Sequence, residues 1–186
     1  HELLEWETAV ESWDAGDVEV VEEDRGLGYV TREVRPTTAV TTLDAGRGLL
    51  RPWSQLEGVG PEVSGVAQYR TTVHLGAAPG PGQRYLLDLG STAGGLGSVS
   101  LNGGPVTGFD TSAPVIDVTG QVRAGENEVV VRVSSSLNNR LIARGYYEDL
   151  QDNILTMHGR RGPHRVWARE HGLLGPVRLV CEHADD

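Results

Sequence analysis

Large apolar residues in this chain recur at every second position, and that spacing restricts the fold more than any other property. In Leu4-Glu5-Trp6-Glu7-Thr8-Ala9-Val10-Glu11, apolar and acidic residues alternate over much of the stretch. Such a pattern suits a strand with one face in a core and the other in water. Similar short runs follow at 28–34, 39–43, 68–75, 84–89, 99–101, 115–118, 128–134 and 177–181. In Glu128-Val129-Val130-Val131-Arg132-Val133, β-branched residues nearly fill both faces, which predicts a central strand covered on both sides or nearly so. No helical periodicity of convincing length interrupts these runs, and no internal repeat is visible.

Turn chemistry separates the runs. Asn102-Gly103-Gly104 directly follows Val99-Ser100-Leu101 and is a hairpin signal, because a type I′ turn needs positive φ at both central residues. The stretch Ala77-Ala78-Pro79-Gly80-Pro81-Gly82 is a loop by composition. Gly125-Glu126-Asn127 punctuates the start of the valine-rich run. Many short strands at this spacing predict an all-β fold, an antiparallel β-sandwich or jelly roll. With 186 residues the chain suits one such module, 1–186.

Composition narrows the function. Asp and Glu number 26 against 16 basic residues, for a formal net charge of -10. Such a surface repels phosphate backbones and anionic lipid, so neither nucleic acid nor a membrane is an expected partner. Every basic residue is Arg, which removes Schiff-base and phosphate-loop lysine chemistry. Cys181 is the single cysteine, so no intrachain disulfide or cysteine metal cluster forms. No apolar run approaches the ~18–20 residues needed to span a bilayer. The chain opens at His1 without a Met, the expectation for a processed or excised piece of a protein exported from the cell.

One region breaks the strand rhythm. The segment 145–170 carries Tyr146, Tyr147, Glu148, Asp149, Asp152, His158, Arg160, Arg161, His164, Arg165, Trp167 and Arg169 between two strand-like runs. A long polar insertion with aromatics reads as a functional or irregular loop.

A set of motifs then resembles a known pattern. They are Arg51-Pro52-Trp53-Ser54, Ser64-Gly65-Val66-Ala67-Gln68-Tyr69-Arg70, Tyr85-Leu86-Leu87-Asp88-Leu89-Gly90, Val99-Ser100-Leu101-Asn102-Gly103, Pro114-Val115-Ile116-Asp117-Val118-Thr119, Ala124-Gly125-Glu126-Asn127-Glu128-Val129, Leu137-Asn138-Asn139-Arg140-Leu141 and Gly172-Leu173-Leu174-Gly175-Pro176-Val177. In order and spacing they resemble the sugar-binding β-sandwich domain of glycoside hydrolase family 2 and, more closely, the C-terminal sandwich of family 106-like α-L-rhamnosidases. The resemblance implies a galactose-binding-like jelly roll accompanying a glycosidase whose catalytic carboxylates sit in a separate barrel. No alternation of strands and helices that could build that barrel is present here.

The residues themselves offer no catalytic constellation. Glycosidase chemistry needs two carboxyl groups held ~5–10 Å apart across a cleft, whereas acids adjacent on a loop usually just hydrate. His158, His164 and His171 lack zinc-ligand spacing, and Ser134-Ser135-Ser136 lacks a nucleophile elbow. Gly90-Ser91-Thr92-Ala93-Gly94-Gly95-Leu96-Gly97 leads into a strand rather than a helix and is a loop. No cofactor is expected. A structural Ca²⁺ fits the resemblance, but no EF-hand spacing names its ligands. Trp6, Trp13 and Trp53 read as core or strand-packing residues. For sugar binding the candidates are Trp167, Tyr146, Tyr147, Asn139, Arg140 and Glu148, an aromatic face with polar side chains for hydroxyls. The competing reading has these aromatics fold the insertion back onto the sandwich. The expectation is therefore a non-catalytic glycosidase accessory module, partnered by a glycan or by the parent's catalytic domain.

Overall fold

The computed structural model describes residues 1–147 and 167–183. Twelve strands are described: β1 Glu2–Leu3, β2 Glu5–Asp24, β3 Val30–Leu49, β4 Gly65–Leu75, β5 Gln83–Asp88, β6 Ser91–Ala93, β7 Gly97–Leu101, β8 Thr107–Phe109, β9 Val115–Asp117, β10 Gly125–Ser134, β11 Gly172–Gly175 and β12 Val177–His183. One short helix, α1 Asn138–Ala143, follows β10. The strands form a six-stranded sheet in the order β3-β2-β4-β10-β7-β8 and a four-stranded sheet in the order β1-β12-β5-β9, with β11 and β6 paired apart. All ladder pairings are antiparallel. The molecule is the all-β sandwich that the alternation predicts.

The core is the sum of the inward-facing positions. Trp6 and Val10 of β2, Ala67, Tyr69 and Val73 of β4, and Val129, Val131 and Val133 of β10 are buried in one cluster with Leu87 of β5 and Leu179 of β12. Strand β10 does occupy a central place in its sheet, between β4 and β7. Its second face is not covered, however. Val130 is only half-buried and Arg132 is exposed, because the outer surface is finished by ion pairs, Arg70 with Glu128 at 3.5 Å and Arg132 with Glu11 at 3.7 Å. The β-branched outer face reflects strand propensity rather than a second layer.

The turns follow the sequence closely. Asn102 and Gly103 have φ of 51° and 68°, and Gly104 N–H closes onto the Leu101 carbonyl at 2.7 Å, the geometry of a type I′ turn. Asn127 is fully buried and spends its amide on Arg123 and Gly125 carbonyls, the Arg123 N–H and the Asn102 side chain, pinning the start of β10. The Asp117 carboxylate accepts the Thr119 hydroxyl and N–H and then the Arg84 guanidinium, and these together pull its pKa down to about 2. Gly65 is required by proximity: a Cβ there would lie 1.7 Å from the Glu11 carbonyl oxygen.

Strands β2 and β3 depart from the expected short runs. The runs at 28–34 and 39–43 belong to one strand that passes straight through Pro36. Proline is tolerated because β3 is the sheet's edge strand and β2 bulges beside it, between Ala15 and Val18. The last rung between β2 and β4 is Ser12 with Gly65. Beyond it the β2–β3 hairpin continues as a two-stranded arm, exposed along nearly all of its length.

Candidate functional site

The arm leaves the sandwich beside α1, and a recess lies in the angle between them. Asn138–Ala143 forms a helix too short to bury a core stripe, but a helical turn places Arg140 and Arg144 one above the other. Both reach toward β2. Arg140 Nη2 donates to Ser12 Oγ at 2.8 Å, and its Nη1 lies 3.6 Å from the Asp14 carboxylate. Arg144 Nη2 donates to that same carboxylate. The Arg144 guanidinium, followed by the Ala15 N–H, holds the Asp14 carboxyl below its ordinary pKa. Above this charged floor lies a pocket of about 430 Å³ walled by Trp13, Pro36, Thr37 and Thr38 from the arm and Leu137 and Leu141 from the helix segment. Among the described residues that line it, Asp14 alone bears a carboxyl group.

The expected sugar-binding residues fall into two groups. Arg140 faces the pocket. Asn139, in contrast, is buried, and its amide is fully engaged: it donates to the Pro61 and Arg169 carbonyls and accepts the Arg169 N–H, each at 2.8 Å. It clasps the returning chain to α1. Next to it, Asn138 donates to the Trp167 carbonyl at 2.9 Å and accepts the Tyr147 hydroxyl at 3.3 Å. Tyr146 and Tyr147 meet edge to face at 5.6 Å. Trp167 is 68% exposed and Tyr146 47%. Tyr146, Tyr147, Asn139 and the Trp167 backbone thus gather around α1. Glu148 lies outside the described residues, as does most of the 145–170 insertion.

Sequence reasoning missed the arm's contribution. Trp13 reads as strand packing and is in fact half-buried at the pocket wall, while Asp14, Thr37, Thr38 and Arg144 carry no local signal. Only the spacing of Arg140 and Arg144 hints at a shared face.

Around Trp53 the polar groups are structural. Its indole N–H donates to Tyr69 Oη at 2.8 Å, which also accepts the Leu173 N–H. His171 packs at 5.6 Å against Trp53, and burial, aided by the Arg169 charge, depresses its pKa below 6.5. Among the described residues no His, Cys, Asp and Glu cluster is placed to hold a metal ion, and no helix is long and apolar enough to cross a membrane.

No protein-family model matches the chain. A putative beta-glucuronidase of Formosa agariphila is 41% identical over 96 residues, covering 50% of this chain and 8% of that protein. The solved rhamnosidase of Novosphingobium sp. PP1Y superposes over 98% of this chain and 15% of its own, with a TM-score of 0.59 and 24% identity, which bears on the fold alone. An FMN-binding beta-glucuronidase of Facaelibacterium prausnitzii aligns over 64% of this chain and 18% of its own, at a TM-score of 0.38 and 18% identity. The chain therefore spans a small fraction of each of these glycoside hydrolases. A glycoside hydrolase-associated β-sandwich is what the likeness supports.

Proposed function

We propose that this domain is a non-catalytic accessory module of a glycoside hydrolase and that it binds carbohydrate between the base of the arm and α1. The pocket carries the reading. Its walls are largely apolar, an indole stands on one side, and hydroxyls and guanidiniums converge on it, the mixture that fixes a sugar's C–H face and its hydroxyls. Trp167, Tyr146 and Tyr147 offer a second aromatic element at the same helix, with Asn139 and Arg140 holding the helix in place. The sequence motifs support the galactose-binding-like type of sandwich and, with it, action outside the cell.

Catalysis is not part of this reading. A glycosidase site needs a second carboxyl facing the first, and the pocket's described lining supplies one, already ion-paired. Calorimetric titration of the domain with plant and bacterial oligosaccharides tests the proposal. Millimolar or tighter binding that Trp13→Ala weakens at least about tenfold is expected, roughly the loss of one well-made contact. Absence of binding to every glycan at millimolar concentration rejects it. Aryl glycosides are expected to show no turnover.

The arm favours a second reading, in which the module packs against other domains of a longer glycosidase. Its outer face carries Val18, Val20, Val34 and Val40, all between 41% and 56% exposed. Association with the separately expressed remainder of the parent polypeptide, abolished by Val20→Asp and Val34→Asp together, is the result this reading requires.

A further inference from the structure

Resting on the carbohydrate reading of the pocket, we propose that the saccharide bound there is anionic, with a carboxylate or sulfate ester held by Arg144 and Arg140. Charge at the pocket floor runs against that of the molecule. The chain carries a formal net charge of -10, yet two guanidiniums and a single carboxylate line the recess. Of the neighbouring acids on β2, Glu11 pairs with Arg132 at 3.7 Å and Glu19 with Arg35 at 3.6 Å, and neither they nor the exposed Asp17 line the recess. Among the described lining residues, guanidiniums exceed carboxylates by one.

The donors are also under-used. Asp14 takes Arg144 Nη2, and Ser12 takes Arg140 Nη2. Arg140 Nε is buried without a hydrogen-bond partner among the described residues, an arrangement native interiors seldom leave standing. Arg144 is 62% exposed at the mouth, so the rest of its fork opens to solvent. A guanidinium fork matches a planar carboxylate or a sulfate in geometry, and the surrounding apolar walls strengthen the attraction. A neutral sugar would meet the same hydroxyls and indole but leave the charge uncompensated. An anionic one brings the floor to neutrality.

Uronates and sulfated sugars share this chemistry, and the experiment separates them. The intact domain is titrated at low salt with a galacturonate oligomer, a sulfated galactan oligomer and a neutral galactan oligomer of equal length. At least one anionic oligomer is expected to bind about tenfold more tightly than the neutral one, as one charge-assisted hydrogen bond warrants. Added salt should erode that preference. Arg144→Gln should reduce that preference, read as the ratio of anionic to neutral affinity in the same variant, to about twofold or less. Thr38→Asp, which sets a new carboxylate on the opposite wall without touching either arginine, should do the same. Equal affinity for neutral and anionic oligomers overturns this inference and leaves carbohydrate binding intact. A preference unchanged in both variants overturns the assignment to these arginines. No binding of any oligomer removes the parent reading together with this one.

Discussion

Strand β2 is two different strands joined end to end. From Glu5 to Ser12 its residues alternate between solvent and core, with Trp6, Thr8, Val10 and Ser12 buried under the four-stranded sheet. From Val18 to Asp24 apolar and acidic residues still intermingle, yet every one of them is exposed. Across the arm, cross-strand pairs such as Arg32 with Glu22 and Arg35 with Glu19, together with the backbone ladder, join the strands. Exposed pairs of that kind contribute little. The same composition thus builds a core strand where a second sheet lies opposite and a bare ribbon where none does. Isolated two-stranded ribbons are marginal in water, so stability in this protein is concentrated at one end of a continuous hairpin.

Perturbations at the two ends should therefore differ steeply. Trp6→Ala at the body end should lower the unfolding free energy by about 3–5 kcal/mol, from the lost burial and the cavity left behind; equilibrium denaturation measures it, and a loss under about 1 kcal/mol would erase the contrast between the two ends. Asn127→Ala leaves Asn102, the Arg123 N–H and two carbonyls short of a partner and should cost about 1–3 kcal/mol by the same assay.

Acid offers a third comparison. His171 protonates less readily in the folded protein than in the unfolded chain, where its pKa is near 6.5. Unfolded molecules therefore bind more protons as pH falls below about 6.5, and stability should decline across that range while being complete above it. His171→Gln should flatten the melting temperature between pH 7.5 and 5.5; an unchanged slope would remove His171 as its source. Smallest of all, Val20→Thr or Val34→Thr in the arm should change global unfolding by no more than about 0.5 kcal/mol. A larger loss would mean that the arm packs against the body.

Much of the body was legible from residue order. Alternation named the strands and Asn102-Gly103 named its turn, because each acts over a few neighbouring residues. Two properties were not legible. Alternation states that a strand has an apolar face but not whether anything covers it, which hid both the open outer face of β10 and the bare arm. The runs at 28–34 and 39–43 look separate in the sequence, since only the sheet order reveals that Pro36 sits on an edge strand. The pocket escaped for a different reason: its floor joins Asp14 to Arg144, 130 positions away, and no local pattern announces such a meeting. Of the residues expected to bind sugar, Arg140 lines the pocket, whereas the wall it faces comes from the other end of the chain.

The arm also converts angle into distance. It outruns its last rung to β4 at Ser12 and reaches Asp24, a span of roughly 40 Å at about 3.3 Å per residue. A tilt of about 10° at its root would sweep the tip through roughly 7 Å, more than the gap between neighbouring strands in a sheet. Anything that grips the tip would consequently hold the sandwich's orientation far more tightly than an equal grip on its flank. Conversely, substitutions at the bulge near Ala15 would be felt most strongly far from where they are made.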